Sequence, residues 1–291
     1  MKSHSTKAAV GAGSSDSALA EAIAVLAVEA GRIILDLRGS MGPAERKADH
    51  SPVTEADRAA EAAITAGLAE LAPGVPVVGE EAVSAGRIPE TGAAFFLVDP
   101  LDGTREFIRG GDDFTVNVGL IRNGAPVLGV IFVPVSGALY VGIVGEGAWQ
   151  ARVRKGVTGP RQPIHVRRAP QGPIDVVASR SHRTKETDTC IARYRVGKLV
   201  AAGSSLKFCV VAAGEADLYP RLGTTMQWDT AAGDAILRAA GGQVVTLEGA
   251  PLPYGPNGRQ GAAAFENPWF IAAGGIKPLP LEGLGGLAPQ G

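Results

Sequence analysis

The stretch FFLVDPLDGTREFIRGGDDFTVNVGL, residues 95–120, contains the features on which the prediction of the fold depends. Its first residues, 95–98, are continuously apolar, which is typical of a buried strand. Asp99 ends this run, and Pro100 has no N–H group to donate to a neighbouring strand, so the regular ladder is expected to stop there. Asp102 follows shortly after Asp99. The sequence therefore predicts two carboxylates at the carboxyl end of one buried strand.

The residues that follow this strand favour a tight turn and a short helix. Gly103 can adopt backbone conformations that other residues avoid, and Thr104 suits the N-cap or the first turn of a helix over 105–108. Carboxylates attract hard cations, and helix N-termini attract phosphate. Asp-Pro and Asp-Gly are also common turn dipeptides, so Asp99 and Asp102 taken alone favour an ordinary turn over a functional site.

Two other segments that carry carboxylates favour a functional interpretation. The run VVGEE, residues 77–81, ends in Glu80 and Glu81, and WDTAAGDA, residues 228–235, places Asp229 at the start of an alanine-rich helix. Three separate strand or helix ends with carboxylates are hard to explain as solvated turns. We therefore predict that they meet in a metal-assisted phosphate site.

These segments resemble the signatures of a known superfamily. GEE (79–81), DPLDGT (99–104) and WDTAAG (228–233) are similar to the three motifs of the inositol monophosphatase superfamily of metal-dependent, lithium-sensitive phosphatases. Longer segments resemble its CysQ branch, the 3'(2'),5'-bisphosphate nucleotidases: KADHSPVTEAD (47–57), DPLDGTREFI (99–108), SRSH (179–182), GSSLKFC (203–209) and LYPR (218–221). The resemblance extends from about residue 18 to residue 273.

The resemblance implies Mg²⁺ as the cofactor, with two or three ions. It implies that Glu80, Asp99 and the carbonyl of Leu101 hold the first ion, and that Asp99, Asp102 and Asp229 hold the second. Glu81 would support these ligands from outside the ligand set. Such a set suits Mg²⁺, which takes oxygen ligands from a few carboxylates, waters and the phosphate of the substrate.

The resemblance also implies the residues that act on water and substrate. Asp57 and Thr104, with Glu80 at the first ion, would activate the attacking water. Thr54 and Asp57 also form a capping-box pattern at the start of a predicted helix over 54–71, and the two roles of Asp57 are compatible. The residues expected to contact the substrate are Gly103, Thr104, His182, Ser204, Lys207, Arg221 and Asp229. Taken one at a time, the segments that carry His182, Ser204 and Arg221 favour solvated loops, whereas as a set they could converge on a second phosphate and a nucleoside.

Composition limits the partners. The formal net charge is -1, from 28 basic and 29 acidic residues in a chain of 291. Nucleic-acid polymers and anionic membranes require a positive excess, so neither is expected as a partner. The sequence has neither a run long and apolar enough for an integral membrane segment nor a secretory signal. We expect a cytoplasmic monomer or homodimer that binds a small phosphorylated molecule, with peripheral attachment to the inner membrane left open.

Periodicity predicts two domains between two tails. Residues 18–155 combine helices with short strands separated by glycine turns, which is typical of an α+β domain with an antiparallel sheet. Residues 156–273 alternate strands and helices, which is typical of an α/β domain with a mixed sheet. The tails, 1–17 and 274–291, have low complexity and are predicted to be disordered or loosely docked. The resemblance implies that the two domains form the layered αβαβα sandwich of the sugar phosphatases.

The leading functional hypothesis is a Mg²⁺-dependent phosphatase that converts adenosine 3',5'-bisphosphate into AMP and phosphate. Inositol monophosphate and fructose 1,6-bisphosphate are the alternative substrates for the same chemistry, and the segments SRSH, SSLK and YPR favour the nucleotide. A non-catalytic nucleotide or phosphate sensor is the hypothesis from another class. Such a sensor is expected to lack one of the carboxylates, and none is missing.

Overall fold

The computed structural model of the protein describes residues 15–39, 45–46, 52–179 and 183–279. His182 and most of the SRSH segment lie outside the described residues, so the predicted contact of His182 with the substrate stays a prediction. The predicted tails also lie largely outside the described residues.

The described residues form seven α-helices, one 3₁₀ turn and fifteen strands. The helices are α1 (Asp16–Arg38), α2 (Glu55–Leu71), α3 (Glu80–Ser84), α4 (Thr104–Ile108), α5 (Lys185–Ile191), α6 (Leu206–Ala212) and α7 (Gln227–Ala239), and the 3₁₀ turn is Gly261–Phe265. The strands are β1 (Glu45–Arg46), β2 (Pro52–Val53), β3 (Val77–Gly79), β4 (Ala94–Asp102), β5 (Thr115–Arg122), β6 (Ala125–Val133), β7 (Ala138–Ile143), β8 (Gly147–Arg154), β9 (Val157–Thr158), β10 (Gln162–Ile164), β11 (Ile174–Ser179), β12 (Val196–Ala202), β13 (Leu218–Arg221), β14 (Gln243–Thr246) and β15 (Phe270–Ala273).

The larger sheet has eight strands, in the order β10-β8-β7-β6-β5-β4-β3, with β9 paired to β8. Strands β5 to β8 form the predicted antiparallel succession, β4 joins it antiparallel to β5, and Asn123-Gly124 makes the β5–β6 hairpin turn with positive φ at both residues. The sequence did not predict that β3 runs parallel to β4. This parallel pair brings the carboxyl ends of β3 and β4 to the same edge of the sheet.

Strand β4 continues further than the sequence predicts. The regular ladder is interrupted after Asp99, as predicted, but the strand does not end there, because β4 extends to Asp102. The pairing with β5 is irregular between Asp99 and Asp102, and Pro100 lies in this irregularity. A missing N–H group costs no ladder hydrogen bond where the ladder is already interrupted, so proline is tolerated there.

The smaller main sheet is mixed, in the order β12-β11-β13-β15-β14. Strand β11 is parallel to β12 and β13, whereas β15 is antiparallel to both β13 and β14. This arrangement confirms the predicted mixed sheet in the second half of the chain.

Three apolar cores hold five layers together, because the middle core packs on both sides of α6 and α7. Helices α1 and α2 cover one face of the larger sheet, α6 and α7 fill the space between the two sheets, and α5 lies on the outer face of the smaller sheet. Residues of β4 alternate between two of these cores: Phe95 and Leu97 face α7, while Phe96 and Val98 face α1 and α2. Burial on both faces explains the continuous apolar run. The αβαβα fold class is thus confirmed.

A row of glycines allows helix α7 to pack closely against the larger sheet. Gly119, Gly129 and Gly142 are neighbours across strands β5, β6 and β7. A Cβ atom at Gly119 would lie 2.7 Å from Cβ of Ala231, and one at Gly142 would lie 2.5 Å from Cα of Ile236. A Cβ atom at Gly129 would collide with the backbone carbonyl of Ala232. The backbone of α7 therefore approaches the sheet more closely than any side chain would allow.

The segment that follows residue 155 and the two tails differ in detail from the sequence-based expectation. Strand β10 pairs with β8, so the larger sheet extends past residue 156. The division of the chain at 155/156 stays a prediction. Helix α1 begins at Asp16, inside the predicted tail, because the Ser15 side chain accepts the N–H of Ala18. The first residues of the other tail dock, since Leu279 donates its N–H to the Tyr194 hydroxyl.

Among the described helices, none is both long and apolar enough to cross a membrane. This agrees with the absence of such a run in the sequence.

We predict that Gly129→Ala lowers the free energy of unfolding by about 3 kcal/mol, because the new methyl group meets backbone rather than a movable side chain. Gly172→Ala is the matched control: its Cβ would meet no atom within 4 Å, so we expect little change. Urea unfolding of both variants measures the difference. Equal stability of the two variants would contradict the close approach of α7.

Candidate active site

The parallel pairing of β3 and β4 juxtaposes the first two carboxylates. Gly79 lies opposite Val98 in the register, so Glu80, the first residue of α3, and Asp99 of β4 each follow a paired residue directly. Asp229 enters from the second half of the chain, in the first turn of α7. Carboxylate oxygens of Glu80, Asp99 and Asp229 lie within 4.8 Å of one another. The structure thus brings together residues that are far apart in the sequence.

The donor set fits a hard cation. Three carboxylates at this separation repel one another unless positive charge lies between them. Burial and the negative charges of Asp102 and Glu80 raise the pKa of Asp229 well above its usual range, although its Oδ2 accepts the Met226 N–H at 2.9 Å. The cluster can therefore hold a metal ion through oxygen ligands alone.

Asp57 is connected to the site through Thr104. The Thr104 hydroxyl lies 3.1 Å from Asp57 Oδ1 and 3.1 Å from the backbone oxygen of Leu101. Asp57 Oδ2 accepts the backbone N–H and the hydroxyl of Thr54, at 2.7 Å and 2.6 Å. This is the predicted capping box, and one carboxylate serves both the helix and the site.

Gly103 has the backbone conformation that the turn requires. Its φ is 100°, which L side chains rarely adopt, and it is the N-cap of α4. A Cβ atom there would lie 3.0 Å from the backbone oxygen of Asp113. The glycine therefore allows the turn that places Thr104 beside Asp57.

Glu61 is a positioning group that sequence analysis did not identify. This buried carboxylate accepts the backbone N–H groups of Glu81 and Ala82, both at 2.7 Å, at the start of the short helix α3. A Cβ atom at Gly79 would lie 2.5 Å from its carboxylate carbon. Glu61 follows Asp57 by one helical turn, so one face of α2 supports both sides of the site.

Asp102 is held by the second half of the chain. Its Oδ2 accepts the backbone N–H of Ser205 at 2.6 Å, and its backbone oxygen accepts the Ser204 hydroxyl at 3.1 Å. Asp102 lines the same pocket as Asp99 and Asp229. One oxygen of Asp102 therefore has a fixed partner in the β12–α6 connection.

Cationic side chains line the same pocket, and we call Lys207 and Arg221 its cationic wall and the clustered carboxylates its carboxylate wall. Lys207 is buried, and its Nζ donates a hydrogen bond to the Ser204 carbonyl oxygen. The same Nζ lies 5.3 Å from the ring centroid of Tyr219. Burial lowers the pKa of Lys207 to about 8. Arg221 also lines the pocket and donates from Nη2 to the Thr224 carbonyl oxygen at 2.6 Å. This wall can receive negative charge that the carboxylate wall would repel.

Most of the predicted site residues share this pocket, although their roles stay predictions. The predicted residues that line it are Glu80, Asp99, Leu101, Asp102, Gly103, Thr104, Ser204, Lys207, Arg221 and Asp229. Asp57 reaches the pocket through Thr104, and Glu81 is buried outside the set of described residues that line it. The lining residues that sequence analysis missed are Arg105, Glu106, Ser179, Ser205, Phe208, Tyr219, Thr224, Thr225 and Thr230. Many of them lie inside or beside the quoted motifs, and this position next to predicted site residues is the sequence signal that could have identified them.

Known proteins resemble this chain in sequence over most of its length. The curated 3'(2'),5'-bisphosphate nucleotidase CysQ of Salmonella typhimurium is 43% identical over 252 residues, which are 86% of this chain and 97% of that protein. CysQ of Escherichia coli K12 is 43% identical over 247 residues, which are 84% of this chain and 95% of that protein.

Solved structures resemble it in fold. CysQ from Bacteroides thetaiotaomicron, described as a bacterial member of the inositol monophosphatase family, matches with a TM-score of 0.71 and 39% identity, covering 89% of this chain and 98% of that one. An IMPase of Thermotoga maritima matches with a TM-score of 0.68 and 25% identity, over 89% and 92% of the two chains. The model of the inositol monophosphatase family matches residues 15–278. The chain therefore belongs to the inositol monophosphatase family.

Proposed function

We propose that this protein is a metal-dependent phosphatase that hydrolyses the 3'-phosphate of adenosine 3',5'-bisphosphate to AMP and phosphate. The observation that carries the proposal is a single pocket with two chemically different walls. One wall carries the cluster of Glu80, Asp99 and Asp229, and the other carries Lys207 and Arg221. A substrate with two phosphate groups matches both walls. The similarity to nucleotidases named CysQ supports the nucleotide as the substrate.

The proposed cofactor is Mg²⁺, with two or three ions. Glu80, Asp99, Asp102, Asp229 and the Leu101 carbonyl are the groups that would hold it. When bound, the metal supplies positive charge that stabilises the reacting phosphate and lowers the pKa of a water. The carboxylates of the chain hold that charge in place and take no covalent part in the reaction.

Thr104 and Asp57 are proposed to accept the proton of the attacking water. Thr104 Oγ1 can accept a proton from the pocket and pass its own to Asp57 Oδ1, 3.1 Å away. The Thr54 hydrogen bonds to Asp57 Oδ2 hold the carboxylate in the orientation that this transfer needs. The backbone N–H groups of Gly103 and Thr104 are proposed to bind the reacting phosphate.

Inositol monophosphate and fructose 1,6-bisphosphate remain the alternative substrates. The carboxylate wall acts only on the phosphate group that is cleaved, so it does not distinguish between these molecules. Lys207, Arg221 and the ring of Tyr219 are what favour a nucleotide bisphosphate. A cytoplasmic location and the oligomeric state stay predictions, and no observation supports attachment to the inner membrane.

The test of the function is phosphate release from adenosine 3',5'-bisphosphate, inositol 1-phosphate and fructose 1,6-bisphosphate, each with Mg²⁺ and with excess chelator. We expect the nucleotide to give the highest kcat/KM and the chelator to abolish release, because the carboxylates then lack their counter-charge. Asp229→Asn should be inactive but folded. A preference for inositol 1-phosphate would overturn the nucleotide assignment, and chelator-resistant turnover would overturn the metal mechanism.

The variant Arg221→Ala tests whether Arg221 binds the second phosphate group of the substrate, the one that does not react. Losing one charge-assisted hydrogen bond costs roughly 1.5–3 kcal/mol, so kcat/KM for adenosine 3',5'-bisphosphate should fall by about one to two orders of magnitude. Hydrolysis of adenosine 3'-monophosphate, which lacks the second phosphate, is the control and should barely change. An equal loss for both substrates would show that Arg221 acts on the reacting phosphate or on folding.

Lys207 predicts a pH dependence. Because its pKa is lowered to about 8, its positive charge is present below that pH and is lost as the pH rises through it. We expect kcat/KM for the bisphosphate, which reports on the free enzyme, to fall as the pH rises through about 8. Lys207→Met should lower kcat/KM and remove this limb of the profile. If kcat/KM of Lys207→Met still falls as the pH rises through about 8, another titratable group causes the fall and the assignment to Lys207 is wrong.

A further inference from the structure

A buried chain of hydroxyl and amide groups joins the two halves of the pocket. Thr115 on β5 is fully buried, and its Oγ1 lies 2.6 Å from Ser204 Oγ and 2.8 Å from Ser205 Oγ. Ser205 donates its hydroxyl proton to Asn117 Oδ1 at 2.7 Å. Thr115 and Asn117 lie outside the set of described residues that line the pocket. They can therefore affect the pocket only through their neighbours.

This chain of hydrogen bonds ends at Asp102. Ser204 donates its hydroxyl to the backbone oxygen of Asp102, and Ser205 donates its N–H to the Asp102 carboxylate. Thr115 is also the residue opposite Asp102 in the β4–β5 register, beyond the irregular segment that contains Pro100. Asp102 is thus positioned through both its backbone and its side chain by groups that contact Thr115.

Ser204 is held in an unusual conformation by these contacts. Its φ is 53°, in the left-handed region that serine rarely adopts. Such conformations persist where the surrounding contacts determine them, often at functional sites. The Ser204 carbonyl oxygen also accepts a hydrogen bond from the Lys207 ammonium group. One residue therefore connects Thr115, Asp102 and the cationic wall.

We propose that Thr115 is a positioning residue that couples ligand binding at Ser204 to metal binding at Asp102. This inference rests on the proposed function, which assigns substrate to one wall and metal to the other. A hydroxyl group has a single proton. Because Ser204 gives its proton to the Asp102 carbonyl, Thr115 is the donor in its contact with Ser204. When Ser204 donates its proton to a ligand oxygen instead, the Asp102 carbonyl loses its hydrogen bond, while the Thr115 hydroxyl still holds Ser204 Oγ. Reciprocity requires that metal binding changes ligand affinity by the same factor.

A merely structural role for Thr115 makes a different prediction. Buried hydroxyl groups with satisfied hydrogen bonds contribute to folding stability wherever they lie. On that account, loss of the hydroxyl lowers the melting temperature but leaves the affinity for metal and the effect of ligand unchanged.

The experiment compares Thr115→Val, which keeps the shape and removes the hydroxyl, with Thr115→Ser, which keeps the hydroxyl. Metal-stripped protein is titrated calorimetrically with Mg²⁺, alone and with saturating AMP, the proposed product. In the wild type we expect AMP to change the Mg²⁺ dissociation constant by about fivefold. Thr115→Val should weaken Mg²⁺ binding by about tenfold and abolish the effect of AMP. Thr115→Ser should restore both.

Ser205→Ala provides a second variant if Thr115→Val does not fold. It keeps the N–H that binds Asp102 but removes the hydroxyl that contacts Thr115 and Asn117, so we expect a smaller loss of Mg²⁺ affinity and a reduced effect of AMP. Wild-type Mg²⁺ affinity and an unchanged effect of AMP in the folded variants would overturn the inference. Phosphate release by the wild type is measured separately, so failure of the proposed substrate is distinguished from failure of the coupling.

Discussion

The close approach of helix α7 to the larger sheet is the constraint on which the site depends. The glycines of β5, β6 and β7 remove the side chains that would hold the helix away, and Ala231 and Ala232 present small side chains in return. Asp229 lies in the first turn of this helix, so its position relative to the carboxylates of β3 and β4 follows from backbone contact. Because backbone atoms cannot rotate aside, this contact fixes the position of the helix more strongly than contacts between side chains would.

The site gathers negative charge in one small cluster. Carboxylate oxygens of Glu80, Asp99 and Asp229 lie within 4.8 Å of one another. Burial and the negative charges of Asp102 and Glu80 raise the pKa of Asp229. Elsewhere two buried carboxylates are paired with arginine: Asp234 binds Arg238, and Asp217 binds Arg167. The cluster could hold a cation, and functional sites commonly contain groups with such perturbed pKa values.

Three carboxylates of the site have supports of their own. Glu61 holds the start of the helix that carries Glu80, Thr54 and Thr104 hold Asp57, and the Ser204–Ser205 connection holds Asp102. These supports come from α2, from the turn after β4 and from the β12–α6 connection. The supports therefore come from both halves of the chain.

The sequence by itself predicted most of the residues that share the pocket and most of the elements that carry them. The motifs at 79–81, 99–104 and 228–233, the capping box of Thr54 and Asp57, and the antiparallel succession from β5 to β8 follow from local patterns, because turn, cap and period-two signals lie within a few neighbouring residues. Only the tertiary structure decided that β3 is parallel to β4, that β4 continues past Pro100, that three glycines on different strands form one row, and that Glu61 and Thr115 support the site. These features depend on contacts between residues distant in the chain, and no local pattern encodes which distant groups will meet.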